Sequence, residues 1–320
     1  MIEKYYNGVI EQVAGGIGNV EHNSILVRYS NDFSIWDLES VNHYKDQTDI
    51  FFTCHEFSYN KIAEAYEPYL GLIRQMFHKY CSGTLEEFME ECDVYKLQRP
   101  VFESYFEKGF CERTEQILID EVEYEQERMR NSIVTMLQKL SEIRPVVIVL
   151  NRFQLASKST MQLSNSLLQV KNKNIGIVLG VNDVQSIPEF AHEEWDAICE
   201  SMDDRNMVYH IGNAGRNMEP DVMDYYSDYE SDDGYRKLNN LVYFLDFDQA
   251  DHHLSKIERR IKFDNFTISE KKHYQLLLLQ IMVSVLQRDI AKALESCEDL
   301  EKLQDQEKEG AFYYNFWMAT

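Results

Sequence analysis

The chain has no CxxC pair. Its six cysteines, Cys54, Cys81, Cys92, Cys111, Cys199 and Cys297, are scattered over 320 residues. Structural zinc sites need closely spaced ligands and disulfide scaffolds are short and cysteine-dense, so both are excluded and reduced, mostly buried thiols are expected. Basic charge is scarce as well: 32 lysines and arginines against 55 acids leave a net charge of −23. Such a surface repels phosphate backbones and anionic headgroups, which excludes nucleic acid and bare membrane as partners. There is no apolar run of membrane-spanning length and no basic, then apolar, leader at the N-terminus. A soluble cytoplasmic protein is expected. The G-x-S-x-G elbow, H-E-x-x-H and paired zinc ligands are missing too, so no hydrolase chemistry nominates itself.

What is present is a globular composition, 44% hydrophobic and 12% aromatic, in a chain long enough for two domains. Residues 1–23 hold a short amphipathic helix (Ile2, Tyr5, Tyr6, Val9, Ile10, Val13), stopped by Gly15, Gly16 and Gly18. These glycines follow a helix and no Lys-Ser/Thr pair closes them, so they read as a helix stop, not a phosphate loop. Five strand candidates come next, near residues 25, 50, 147, 177 and 208, with helices between most of them. The run Val146 to Leu150 is apolar throughout, as suits a strand covered on both faces. An α/β domain with a mainly parallel sheet over residues 24–215 is predicted, with a helical insertion at about 69–142. Within that insertion, Thr84-Leu85-Glu86-Glu87 is a capping-box signature.

Residues 144–157, RPVVIVLNRFQLAS, set the frame. An apolar strand followed by Phe153-Gln154-Leu155-Ala156-Ser157 resembles the Walker B strand of the STAND class of P-loop signalling ATPases, whose two acidic residues are here Asn151 and Arg152. Cys54-His55-Glu56 and then Tyr66-Glu67-Pro68 stand in the order of that family's Cys-x-Glu and Tyr-x-Pro elements. Asn182, ending the strand at 174–181, takes the position of the family's γ-phosphate sensor. After the first strand, 24–29, the phosphate cradle should follow. The chain instead runs Ser30-Asn31-Asp32-Phe33-Ser34-Ile35-Trp36-Asp37-Leu38, with no glycine and no lysine. The resemblance therefore implies a P-loop-like frame whose Walker motifs are lost, with no cofactor and no catalytic residue. The alternative is a nucleotide-binding switch with an atypical loop.

Residues 212–235, acidic and rich in tyrosine, read as exposed; a linker is placed at 216–235. From 236 to 320 the pattern is all helix. Asp246-Phe247-Asp248-Gln249-Ala250 and Asp289-Ile290-Ala291-Lys292-Ala293 align 43 residues apart, each after an apolar helix. This resembles tetratricopeptide-type helical repeats, though longer than the usual unit. Their inner face is the expected binding surface, for a protein partner or a downstream domain of the same chain. Residues 309–320 start a further apolar helix and stop, which suggests a truncated helix, hence further repeats, an output domain beyond residue 320, and self-association. Among the family's outputs a diguanylate cyclase, or another nucleotide-second-messenger cyclase, is the one expected.

Overall fold

The computed structural model describes residues 2–19, 23–30, 33–47, 49–58, 61–111, 122–183, 191–204, 207–211, 229, 231–263 and 266–303. All five strand expectations appear: β1 (Asn23–Tyr29), β2 (Phe51–Glu56), β3 (Val146–Asn151), β4 (Ile175–Asn182) and β5 (Val208–Ile211). They form one sheet in the order β2-β3-β4-β1-β5, and every pairing is parallel. Along β3 alternate residues serve opposite cores. Val147 and Val149 join one cluster while Val146, Ile148 and Leu150 join the other, and none of the five is exposed. That double burial is why the strand is apolar at every position instead of every second one.

The strand order fixes where the helices go. From β1 the chain crosses to β2 at the far edge through α2 (Glu39–Lys45), and from β2 it returns in the opposite direction. Right-handed crossovers then place helices on opposite faces. α2 accordingly shares one face with α1 (Ile2–Gly16), in the core of Tyr6, Val9, Ile10, Val13 and Val41. The other face carries the insertion helices α3 (Tyr69–Tyr80), α4 (Leu85–Glu91), α5 (Arg99–Lys108) and α6 (Val122–Ile143), followed by α7 (Lys158–Gln169) and α8 (His192–Asp203). The capping box forms at α4: Thr84 Oγ1 accepts from Glu87 N–H and Glu87 Oε2 from Thr84 N–H. The N-terminal helix, read from sequence as a separate piece, lies directly on β1, β3 and β4.

Helices α9 (Asp232–Tyr243), α10 (Phe247–Phe263), α11 (Glu270–Leu286) and α12 (Ile290–Leu303) complete the described chain. α9 starts inside the stretch read as linker, because Ser231 Oγ caps it by accepting Gly234 N–H at 2.8 Å. The rest of that stretch, 216–228 and 230, lies outside the described residues, as do 304–320 at the end. The two helical hairpins carry the same turn 43 residues apart. Leu245 and Arg288 both adopt left-handed backbone (φ 66° and 62°). Asp246 N–H reaches Leu241 C=O and Asp289 N–H reaches Ser284 C=O, each at 2.8 Å. Ala250 and Ala293, the residues that suggested the repeat, are both buried. Among the described residues no helix is long and apolar enough to cross a membrane.

Candidate functional site

In open parallel sheets ligands bind beyond the carboxyl ends of the strands, where neighbouring strands send their connections to opposite faces. Here that point lies between β1 and β4, paired through Tyr29 and Asn182. It is filled by the protein's own groups. Tyr29 reaches across β4, and its hydroxyl donates to Asn151 Oδ1 on β3 at 2.7 Å. Tyr6, from α1, and Phe33, from the loop after β1, stack edge-on to Tyr29 with centroids 6.4 and 4.9 Å away. Tyr6 and Tyr29 are fully buried.

Gly180 makes this packing possible. A Cβ there would overlap Tyr6 Oη and lie 2.7 Å from Asn151 Oδ1. Among the described residues the Tyr6 hydroxyl makes no hydrogen bond, so it contributes bulk without a bonded partner. Gly180→Ala is expected to destabilise the fold by about 1–3 kcal/mol through overpacking. Tyr6→Phe alone should be neutral or slightly stabilising, because it removes a buried unpaired hydroxyl. The double variant should lose less than Gly180→Ala alone, a coupling that urea denaturation of all four proteins measures directly. Additive effects would mean that another neighbour sets the limit.

The segment in the place of a phosphate cradle is pinned by apolar anchors. After Ser34 a short 3-10 turn (Ile35–Asp37) buries Ile35, and Leu38 follows it into the core. The N-terminus of α2 would be the anion-binding end of such a unit. Its Ser40 N–H donates to Asn7 Oδ1 of α1 at 2.9 Å. A group from an earlier helix thus takes the amide that a phosphate oxygen would need.

The sequence-predicted positions converge at this end of the sheet. Asn151 is fully buried, and its Nδ2 donates weakly to Glu56 Oε1 at 3.4 Å. Arg152, in left-handed backbone (φ 53°), pairs Nη1 with the same Glu56 oxygen at 3.5 Å. β2 thus brings a carboxylate beside Asn151, already matched to a guanidinium. Asn182 is buried and donates its N–H to Gln154 Oε1 at 3.3 Å, tying β4 to the turn after β3. Sequence reasoning did not single out Tyr6, Asn7, Tyr29 and Gly180 for this site. Only the glycine inside an apolar strand carried a signal, since glycine there marks a close approach.

A second polar assembly joins the sheet domain to the helical hairpins. The turn after β3 ends in Ser157, which caps α7 by accepting Thr160 N–H. The next free amide, Ser159 N–H, donates to Asp246 Oδ2 at 2.8 Å, and Lys158 pairs with Asp248 of α10. Gln249 donates to Ala63 C=O, and Asn240 Nδ2 to Glu64 Oε2 at 3.0 Å. The Tyr66-Glu67-Pro68 element sits in this joint: Tyr66 N–H bonds Ser159 Oγ, and Thr160 Oγ1 donates to Glu67 C=O. Burial raises the Glu64 carboxyl to about 7, with the neighbouring Glu67 adding to it, and burial also raises Glu67. Burial, helped by Lys237, pushes His55 down to about 4. With the His55 ring neutral near neutral pH, its 3.5 Å contact with Glu67 is not an ion pair there.

One group of acids among the described residues has the spacing of a cation site, Glu258, Glu295 and Asp299. The Lys262 ammonium already lies between them, at 2.7, 3.0 and 3.1 Å. No family model matches the chain, and no curated protein or solved structure matches it either.

Proposed function

We propose that the chain is a non-catalytic regulatory module: a STAND-like pseudo-ATPase frame joined to tetratricopeptide-like hairpins, which together govern a protein partner or a downstream output domain. The observation that carries this reading is the Tyr29–Asn151 hydrogen bond across β4. It spans the crevice a nucleotide would enter and uses the residue standing in the Walker B acid position. The Asn7–Ser40 bond supports the reading from the other side, because it occupies the helix-end amide. The joint through Asp246, Asp248 and Asn240 gives the frame a route to the hairpins: a shift of α7 would be felt directly by α10. A cyclase-type output would then respond to what the hairpins bind.

A second reading has one observation behind it. Glu56 lies beside Asn151 and offers a carboxylate to that end of the sheet, as a nucleotide-binding switch with an atypical loop would need. Titration calorimetry with ATP and ADP in the presence of Mg²⁺ separates the two. The expected result is no heat and no thermal shift at millimolar nucleotide. Micromolar binding, abolished by Glu56→Gln, would overturn the pseudo-ATPase reading in favour of the switch.

A further inference from the structure

The edge strand β2 has a feature at odds with the rest of this acidic chain. A groove of about 600 Å³ runs beside its amino-terminal half, between the C-terminal ends of α2 and α3. Lys45 lies on one wall and Arg74, His78 and Lys79 on the other, and among the described residues no carboxylate lines it. Helix C-termini favour basic residues, which accounts for Lys45, His78 and Lys79 in a last turn. It does not account for the absence of carboxylate partners to the two lysines among the described residues. Among the described residues Lys45, Lys79 and Arg144 make no ion pair; each lies instead over an aromatic ring, Lys45 on Trp36 at 4.3 Å, Lys79 on Tyr80 at 5.2 Å and Arg144 on Tyr80 at 5.3 Å. Arg74 is turned to main-chain carbonyls of Phe106 and Glu107. The exposed Asp46 and Asp49 follow α2 on the loop to β2 but do not line the groove.

The strand itself supplies the second half of the site. Phe51 and Phe57 turn their N–H groups toward β3, bonding Pro145 and Asn151 carbonyls. Alternation along a strand then points the N–H and C=O of Phe52 and Cys54 outward, to the side on which, among the described residues, the sheet has no further strand. An edge without a strand partner among the described residues, flanked by lysines without an ion pair among them, fits an extended segment carrying carboxylates, which would bond the edge through its backbone and the walls through its side chains.

We propose that the β2 edge docks an acidic, extended peptide segment of a partner protein by strand addition. This surface is separate from the helical hairpins and does not depend on the loss of nucleotide chemistry. The probe is a blocked eight-residue peptide of alternating Glu and Val, with its Lys-Val counterpart and a single-stranded oligonucleotide of equal charge as controls. Binding is followed by fluorescence anisotropy on the whole chain, and amide hydrogen exchange is followed at Phe52 and Cys54. The Glu-Val peptide should bind, should slow exchange at those two amides, and should weaken at least tenfold in the double variant Lys45→Glu, Lys79→Glu. Both substitutions are on exposed side chains, and an unchanged melting temperature checks the fold. The proposal is overturned if the peptide does not bind, or if it binds without protecting the two amides or equally well to the double variant. Equal binding of the oligonucleotide would overturn it as well. So would concentration-dependent growth in mass, without peptide, that the double variant abolishes: the occupant would then be a second copy of this chain.

Discussion

Phe244→Ala is expected to lower stability by about 3–5 kcal/mol, as for an aromatic removed from a closed core. Phe244 follows α9 and has no exposed surface. Its ring does not pack within the hairpins alone. It meets Tyr66, Phe102 and Tyr105 edge-on, with centroids at 6.2, 5.8 and 5.5 Å, so residues from the sheet domain and from its helical insertion close around it. Edge-to-face pairs add roughly 0.5–1.5 kcal/mol each to what burial gives. Loss of the ring should therefore weaken the joint more than either body. Chemical denaturation should show one transition in the parent and an early phase, from helices α9–α12, in the variant. Phe263→Ala is the control, since that ring is 76% exposed at the end of α10 and its loss should change stability by less than about 0.5 kcal/mol. Similar effects of the two substitutions would mean that the hairpins do not fold as one unit with the sheet domain.

How much of this was legible in the sequence depends on how far the signal travels along the chain. Strands β1, β3 and β4 were legible because burial on one or both faces writes itself into consecutive residues, as in Val146–Asn151. β2 and β5, only partly buried, were legible through their aromatic and β-branched residues. The hairpin repeat was legible through Ala250 and Ala293, since close helix packing demands a small residue at each crossing. The shared turn was not, because the left-handed positions hold Leu245 and Arg288 where glycine would have announced them. At the crevice, Asn151, Arg152 and Asn182 were found by their place after a strand. What they meet was hidden. Tyr6 and Asn7 lie on a helix that precedes the whole α/β pattern, and no local periodicity tells an ordinary buried tyrosine from one that reaches the end of β4. The partner of Asp246 was hidden for the same reason: 87 residues separate it from Ser159.

That pair gives the second large effect. Asp246 is buried at the joint, and burial raises its carboxyl from the ordinary 3.8 to about 6, against the opposing pull of the Ser159 hydrogen bonds. The sign follows from proton counting. Between about pH 4 and pH 6 the folded chain holds a proton on Asp246 that the unfolded chain has released, so folding weakens as pH rises through that window and the cost is complete above it. A shift of about two units corresponds to about 3 kcal/mol as a ceiling. The parent's own pH profile should not isolate it, because the raised carboxyls of Glu64 and Glu67 act in the same sense and the histidines in the opposite one. His55 is held down to about 4 and His253 well below its usual value, both chiefly by burial, and a neutral folded ring loses stability as pH falls below about 6.5. The difference between two proteins cancels those terms. Asp246→Asn keeps the shape and an oxygen that can accept the Ser159 N–H. It is expected to be about 1–3 kcal/mol more stable than the parent at pH 8 and indistinguishable from it at pH 4, measured by urea denaturation at each pH. The reverse order at pH 8 would mean that the Ser159 amide, at the positive end of α7, together with Lys158 outweighs desolvation. In that case the Asp246 charge would hold the hairpins to the sheet domain, and acid should loosen the joint instead of tightening it.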